Sequence, residues 1–235
     1  MSGRLRIGDV VLGERPRLVA AGGDAEVDAL LAADGADVLE LRADLFDDAR
    51  PGAVTAALAR LHGGPRPVIL TVRRASEGGR GLPEERRREL YDAGLEHAHA
   101  IDLEIASAEA FATLVQRARD GGRLVILSAH FPDGTPPLGT LLGLVARAEA
   151  LGAHVTKLVT TATSMADLRL LLEATLAAQP RPVATFAMGP LGVASRIAFG
   201  LAGSLLTYGC VGRPTAPGQL PVRELRTWLD RFYPA

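Results

Sequence analysis

The chain alternates between two hydrophobic rhythms. Short runs of Val, Ile, Leu and Ala with period-two patterning are separated by longer Ala/Leu-rich runs of helical period. The strand-type runs are Arg17–Ala21, Val38–Arg42, Val68–Arg73, Ala100–Ile105, Leu124–His130, His154–Val159, Pro182–Ala187 and Leu205–Tyr208. The helix-type runs are Ala25–Ala33, Ala53–Leu61, Pro83–Ala98, Ala108–Asp120, Pro137–Leu151, Ser164–Ala178, Leu191–Gly203 and Val222–Phe232. Asp24, Ser107 and Ser164 stand where helix N-caps belong, and Pro83 stands at a first helical turn. Before the first strand, Leu5, Ile7, Val10 and Leu12 suggest a short strand or hairpin.

Eight strand–helix units predict an α/β fold of the (β/α)8 TIM-barrel type, with the N-terminal hairpin closing its bottom. One domain over residues 1–235 accommodates it. The competing architecture is a doubly wound open sheet. A nucleotide site of that kind wants a G-x-G-x-x-G turn after the first strand, and Ala21-Gly22-Gly23-Asp24 lacks the spacing.

Polar residues fall on one face of the strands. In the second strand Val38, Glu40 and Arg42 share a face opposite Leu39 and Leu41. Thr71 and Arg73 end one face of the third, and Asp102 and Glu104 share a face of the fourth. Ser128 and His130 share a face of the fifth, and Lys157 lies with Val155 and Val159 on the sixth. Each of these faces starts small or apolar and turns polar at its C-terminal end. In a barrel that face points inward, and its C-terminal end is where active sites lie.

Composition sharpens this picture at one residue. The 26 basic residues comprise 25 arginines and a single lysine, Lys157. The two cations are nearly exchangeable on a solvated surface, but only lysine offers a deprotonatable primary amine. A strand-end lysine has its ammonium form disfavoured by desolvation, and neighbouring arginines are expected to add to this. A neutral amine adds to ketones to give a Schiff base, whose iminium acidifies the adjacent C–H. His130, expected to titrate near neutrality, suits the transfer of that proton. Glu77, on the loop after the third strand, is placed to orient and polarise the imidazole.

Arg196 is the one charged residue between Pro182 and Gly212. It reads either as a helix arginine on the outer face of the barrel or, better with Gly189 and Gly192 beside it, as an anchor for an anionic group. The Gly/Pro-rich segment Cys210–Pro221 is long enough to fold over the barrel mouth. Its Thr215 and Gln219 are candidate donors to a carboxylate.

These motifs occur together as Glu40-Leu41-Arg42-Ala43-Asp44, Thr71-Val72-Arg73 with Glu77-Gly78-Gly79, Asp102-Leu103-Glu104, and Ser128-Ala129-His130 with Thr135-Pro136. Thr156-Lys157, Gly192-Val193-Ala194-Ser195-Arg196 and Thr215-Ala216-Pro217-Gly218-Gln219 follow. In this order they resemble the type I 3-dehydroquinate dehydratases. The resemblance implies a cofactor-free, often dimeric (β/α)8 lyase of the shikimate pathway. It implies that Lys157 forms the imine, that His130 shuttles the proton and that Glu77 partners the histidine. It further implies that Arg196, Gln219 and Thr215 hold the substrate carboxylate, and that Glu40, Arg42 and Arg73 bind ring hydroxyls. Asp44, Asp102, Glu104 and Ser128 would support these groups from behind. Two positions depart from the family pattern. Phe131-Pro132 follows the histidine where Asp or Asn and then Phe are usual, and Thr215 stands in for Ser.

Two other readings compete. A class I aldolase acting on a sugar phosphate would want a phosphate site near the last two strands. A non-catalytic dehydroquinate-binding sensor would be expected to lack Lys157 or His130. A net charge of −1 argues against a nucleic-acid or anionic-membrane partner. The lone Cys210 excludes an internal disulfide framework, and no histidine cluster suggests a metal. No apolar run reaches membrane-spanning length and the start has no signal-peptide core, which leads to a cytoplasmic expectation.

Overall fold

The computed structural model describes residues 4–234, so Met1–Gly3 of the predicted N-terminal segment lie outside it. A two-stranded antiparallel hairpin, β1 (Arg6–Ile7) and β2 (Val10–Val11), comes first. Eight parallel strands follow: β3 (Arg17–Gly22), β4 (Val38–Arg42), β5 (Val68–Thr71), β6 (Ala100–Glu104), β7 (Leu124–Phe131), β8 (Val155–Thr161), β9 (Val183–Met188) and β10 (Leu206–Cys210). They pair in chain order, and β10 returns to pair with β3. Between β9 and β10 the ladder is replaced by a Val183–Ser204 bridge, where Leu205 N donates to Val183 O at 2.9 Å and Thr185 N donates to Ser204 Oγ at 2.8 Å. Eight helices surround this nearly closed barrel: α1 (Val27–Leu31), α2 (Pro51–His62), α3 (Glu84–Gly94), α4 (Ala112–Asp120), α5 (Leu138–Ala150), α6 (Met165–Ala178), α7 (Val193–Ala198) and α8 (Val222–Phe232).

The two strand faces separate as their alternation predicts. Leu39, Leu41, Leu70, Leu103 and Leu127 pack outward with buried helix residues such as Leu58, Leu90 and Leu141. Val19, Val38, Ile69, Ala100, Ile126 and Val155 fill the interior, and Ile7 and Leu12 of the hairpin region join that inner cluster. The hairpin thus plugs the N-terminal end of the barrel, leaving the C-terminal end for polar groups.

Several boundaries differ from the sequence reading. β5 ends at Thr71 rather than Arg73, because side chains take over its last ladder positions. Val72 N donates to Tyr91 Oη at 3.1 Å, Arg87 Nε donates to Val72 O at 2.9 Å, and Arg73 N donates to Asp44 Oδ1 at 3.0 Å. The Leu191–Gly203 helix is three pieces, with 3-10 turns at Pro190–Gly192 and Phe199–Ala202 flanking α7. Ser164 does cap α6, in a reciprocal box with Asp167. Asp24 and Ser107 cap no α-helix: Asp24 accepts from Ala25 N and Asp47 N, and Ser107 Oγ accepts from Arg87. Pro83 sits at the N-cap of α3, one residue ahead of its first turn.

Candidate active site

Parallel register stacks the polar positions beside one another. Arg42 lies opposite Thr71, Thr71 opposite Asp102, Glu104 opposite Ser128, and Ser128 opposite Lys157. Above them opens a cavity of about 300 Å³. Glu40, Arg42, Arg73, Glu77, His130, Lys157, Arg196, Thr215 and Gln219 all line it. Asp44, Asp102, Glu104 and Ser128 lie just outside and hold those side chains in place.

Arg42, Asp44, Arg73, Asp102, Glu104, Arg87, Glu40 and Lys157 form one network of buried charges. Arg42 grips Asp44 bidentately, Nε to Oδ1 at 2.9 Å and Nη2 to Oδ2 at 2.8 Å. Arg73 donates to Glu104 at 3.0 Å, Ser128 Oγ at 2.7 Å and Asp102 at 2.9 Å. Arg87, reaching in from α3, pairs with the other oxygen of Glu104. Lys157 Nζ donates to Asp102 Oδ2 at 2.8 Å and lies 3.7 Å from Glu40 Oε1. Glu40 Oε1 also accepts from Thr71 Oγ1 at 2.8 Å. Burial opposes the charge on Asp102, but Arg73 and Lys157 outweigh it and hold the carboxyl well below its usual range. The amine's nearest charged neighbours are therefore two carboxylates, not the arginines expected from sequence. Arg42 is bound to Asp44, and Arg73 shares Asp102 with the amine and also pairs with Glu104.

Glu77 and His130 form a second unit. Glu77 Oε2 accepts from the main-chain N of His130 at 2.8 Å and lies 3.0 Å from its Nδ1. Burial pushes the Glu77 carboxyl up to about 7 against the opposing charge of Arg73. Burial, with Arg73 and Lys157 adding to it, pushes His130 well below its ordinary value rather than leaving it near neutrality. The imidazole is consequently neutral at physiological pH. With Nδ1–H directed at Glu77, Nε2 is the basic nitrogen.

Arg196 differs from every other buried cation among the described residues. It is 2% exposed, and Nη1 donates to Tyr208 O at 3.2 Å, but Nε and Nη2 have no partner. No carboxylate pairs with it, and burial pulls it down to about 10. Its helix, α7, is drawn against β9 where Ser195 Oγ accepts from Ala187 N at 2.8 Å. Gly192 is required there, since a Cβ would lie 2.3 Å from Ala187 O. A guanidinium with two unpaired donors at a cavity wall can pair with an anion that enters.

The Cys210–Pro221 segment lies over the same corner. Gly189 N donates to Pro217 O at 3.2 Å, and at Gly218, with φ of +73°, a Cβ would strike Gly189 O at 2.4 Å. Thr215 N and Oγ1 donate to Gln219 Oε1 at 2.7 and 3.0 Å, which leaves the Gln219 amide NH2 free for a ligand. Phe131 extends β7 opposite Thr160 and packs toward the outer helices, while Pro132 turns into the cavity wall.

Sequence reasoning missed part of the site. Phe186, Met188 and Tyr208 line the cavity, and the same period-two reading of the last two strands would have found them. Arg87 and Tyr91 were also missed, although they lie on the buried stripe of α3 with Leu90 and Gly94. Among the described residues no group of three or more His, Cys, Asp or Glu is placed to hold a metal ion, and no helix is long and apolar enough to cross a membrane.

Comparison with known proteins agrees with this geometry. The family model of type I 3-dehydroquinase matches residues 22–233. The 3-dehydroquinate dehydratase of Geobacillus kaustophilus is 36% identical over 83% of this chain and 79% of its own. That of Methanococcoides burtonii is 35% identical over 96% of this chain and 98% of its own. The crystal structure of the Geobacillus kaustophilus enzyme superposes with a TM-score of 0.90 at 30% identity, covering 100% of this chain and 98% of the other. That of the type I enzyme from Clostridium difficile, with covalent modified comenic acid, gives 0.89 at 26% identity over 99% and 98%. By sequence and by fold, this chain belongs to the type I 3-dehydroquinase family.

Proposed function

We propose that the protein dehydrates 3-dehydroquinate to 3-dehydroshikimate through an imine on Lys157. The observation that carries this reading is the single lysine of the chain, buried on the inner face of β8 as its third residue of seven rather than at the strand end expected from sequence, in the cavity that His130 also lines. The Arg196 guanidinium, with two unpaired donors, takes the substrate carboxylate, helped by the free amide of Gln219. Thr215, expected from sequence to donate to the carboxylate itself, instead orients that amide by donating its N–H and hydroxyl to Gln219 Oε1. Glu40, Arg42 and Arg73 meet the ring hydroxyls. Arg73 spends both hydrogens of Nη1 and one of Nη2 on protein acceptors, which leaves Nε and one Nη2 hydrogen for a ligand.

The Lys157 ammonium gives up a proton that ends on the departing carbonyl oxygen, and the amine adds to the C3 carbonyl. Loss of water from the adduct leaves an iminium. That cation draws electrons from C2, and neutral His130 removes the C2 proton to give an enamine. The enamine pushes out the C1 hydroxyl, which leaves as water with the proton His130 carries. Addition of water to the resulting conjugated iminium then frees the product and restores the ammonium. Glu77 offsets the charge His130 gains. The reaction is a carbon–oxygen elimination, and the lysine is regenerated at the end of each turn.

An aldolase-type reaction is the weaker reading, because the anion anchor is an arginine fork with a side-chain amide, which suits a carboxylate. A non-catalytic sensor fits poorly, because the amine, the base and its carboxylate partner are all in place. On the family resemblance, the reading extends to a cofactor-free cytoplasmic homodimer in which residues 1–235 act as one unit. The direct assay is ultraviolet absorbance on mixing with 3-dehydroquinate. The product's conjugated enone carboxylate absorbs where the substrate does not. A rising signal supports the reading, and a flat trace at high enzyme concentration removes it.

A further inference from the structure

Two cations bracket an aromatic pair on one side of the cavity. The Arg196 guanidinium lies 4.6 Å from the centroid of the Phe186 ring. Phe186 and Tyr208 are 5.2 Å apart and tilted. Lys157 Nζ lies 3.9 Å from the centroid of the Tyr208 ring. The Tyr208 side chain lines the cavity and is 4% exposed, and its hydroxyl is buried without a hydrogen-bond partner. No step of the reaction above uses that hydroxyl.

A buried hydroxyl left unpaired is unfavourable, and in a cavity it marks where a polar atom of the ligand belongs. Burial, followed by the nearby charges of Glu40 and Asp102, holds the phenol well above its ordinary value, so it keeps its proton and presents a donor. The ring face has a separate effect, because it attracts positive charge on Nζ without needing an N–H. Conversion of the ammonium to an iminium removes two of the three N–H donors that face Asp102 and Glu40. The attraction of the ring for the cation survives that change.

Building on the Schiff-base reading, we infer that Tyr208 contacts the substrate: its hydroxyl donates to a substrate oxygen close to the carbon joined to Lys157, and its ring face holds the positive charge of the iminium. Tyr208 is then also a specificity group. A ketone without an oxygen at that position leaves the phenol unpaired and is rejected.

The test compares wild type with Tyr208→Phe and Tyr208→Leu in three measurements: turnover of 3-dehydroquinate, thermal unfolding, and borohydride trapping at saturating substrate. Tyr208→Phe removes only the hydroxyl. Its KM should rise about 10-fold, its trapping at saturation should persist, and its Tm should equal or exceed that of wild type because the empty site loses an unpaired polar group. A hydroxyl with a purely structural part would instead lower Tm and leave KM unchanged. Tyr208→Leu removes the ring as well and should lose most of the trapped imine. An unchanged KM in Tyr208→Phe overturns the contact of the hydroxyl, and wild-type trapping in Tyr208→Leu overturns that of the ring. A wild-type protein that neither dehydrates nor traps contradicts the Schiff-base reading itself, so the two failures are distinguishable.

Discussion

One oxygen of Glu77, Oε2, accepts from the main-chain N of His130 at 2.8 Å and lies 3.0 Å from the imidazole Nδ1. The carboxylate therefore fixes both the backbone at the end of β7 and the tautomer of the ring. Its burial sets the pH behaviour of the pair. With Glu77 raised to about 7 and His130 pushed well below its ordinary value, protonation of Glu77 is the first event on acidification. That proton removes the negative charge which balances the imidazolium. kcat/KM should fall as the pH drops through about 7. Glu77→Gln should lower kcat by on the order of 10- to 100-fold and abolish that limb. A pH–rate profile of both proteins checks this.

The same shift affects stability. Folding raises Glu77 from its ordinary 4.5 to about 7, so the folded protein holds this proton more tightly than the unfolded chain. Its stabilising contribution is full below pH 4.5 and is lost as the pH rises through about 7. Glu77→Gln cannot lose the proton. Its Tm should therefore gain on wild type as the pH goes from 5 to 8.5, by up to about 3 kcal/mol in unfolding free energy. A constant difference across that range would contradict the argument.

Arg196 is a charge kept without a partner, which is costly to the empty fold. Arg196→Met should leave Tm unchanged or higher. The KM for 3-dehydroquinate should rise on the order of 100-fold, the loss expected for a charge-assisted fork to a carboxylate. Thermal unfolding and steady-state kinetics separate these two effects. A fall in Tm with an unchanged KM would assign Arg196 a structural part instead.

Arg87 is the opposite case. It has full partners in Glu104, Val72 O and Ser107, and from α3 it does not reach the cavity lining. Arg87→Met should destabilise the fold by about 3–5 kcal/mol, because it leaves one side of a buried carboxylate unpaired. Denaturant unfolding measures this directly. A loss below 1 kcal/mol would show that the network relaxes around the gap.

The barrel was legible because each strand obeys two patterns at once. Val38-Leu39-Glu40-Leu41-Arg42 gives the outward leucines, the inward face and the polar end in five residues. Glu40, Arg42, Arg73, His130 and Lys157 were legible for the same reason, whereas Arg196 stood out as an isolated charge and Glu77, Thr215 and Gln219 lie on loops that strand alternation does not read. What escaped depended on contacts across elements. Nothing in Val72-Arg73 says that Tyr91 and Arg87 replace the ladder there, since those partners sit on a different helix. The surroundings of Lys157 were misjudged in the same way. Arg73 and Arg42 are close in the barrel, but each is bound to an acid, and the amine meets Asp102 first. Phe186 and Tyr208 were overlooked because inward aromatics near strand ends read as ordinary core until a cation is seen against the ring.

The central claim is a covalent bond to the one lysine. Incubation with 3-dehydroquinate and borohydride, followed by peptide mapping by mass spectrometry, tests it most directly. The account predicts a single reduced adduct on Lys157, loss of activity in step with labelling, and neither labelling nor turnover in Lys157→Arg. Turnover without any adduct, or an active Lys157→Arg variant, would contradict it.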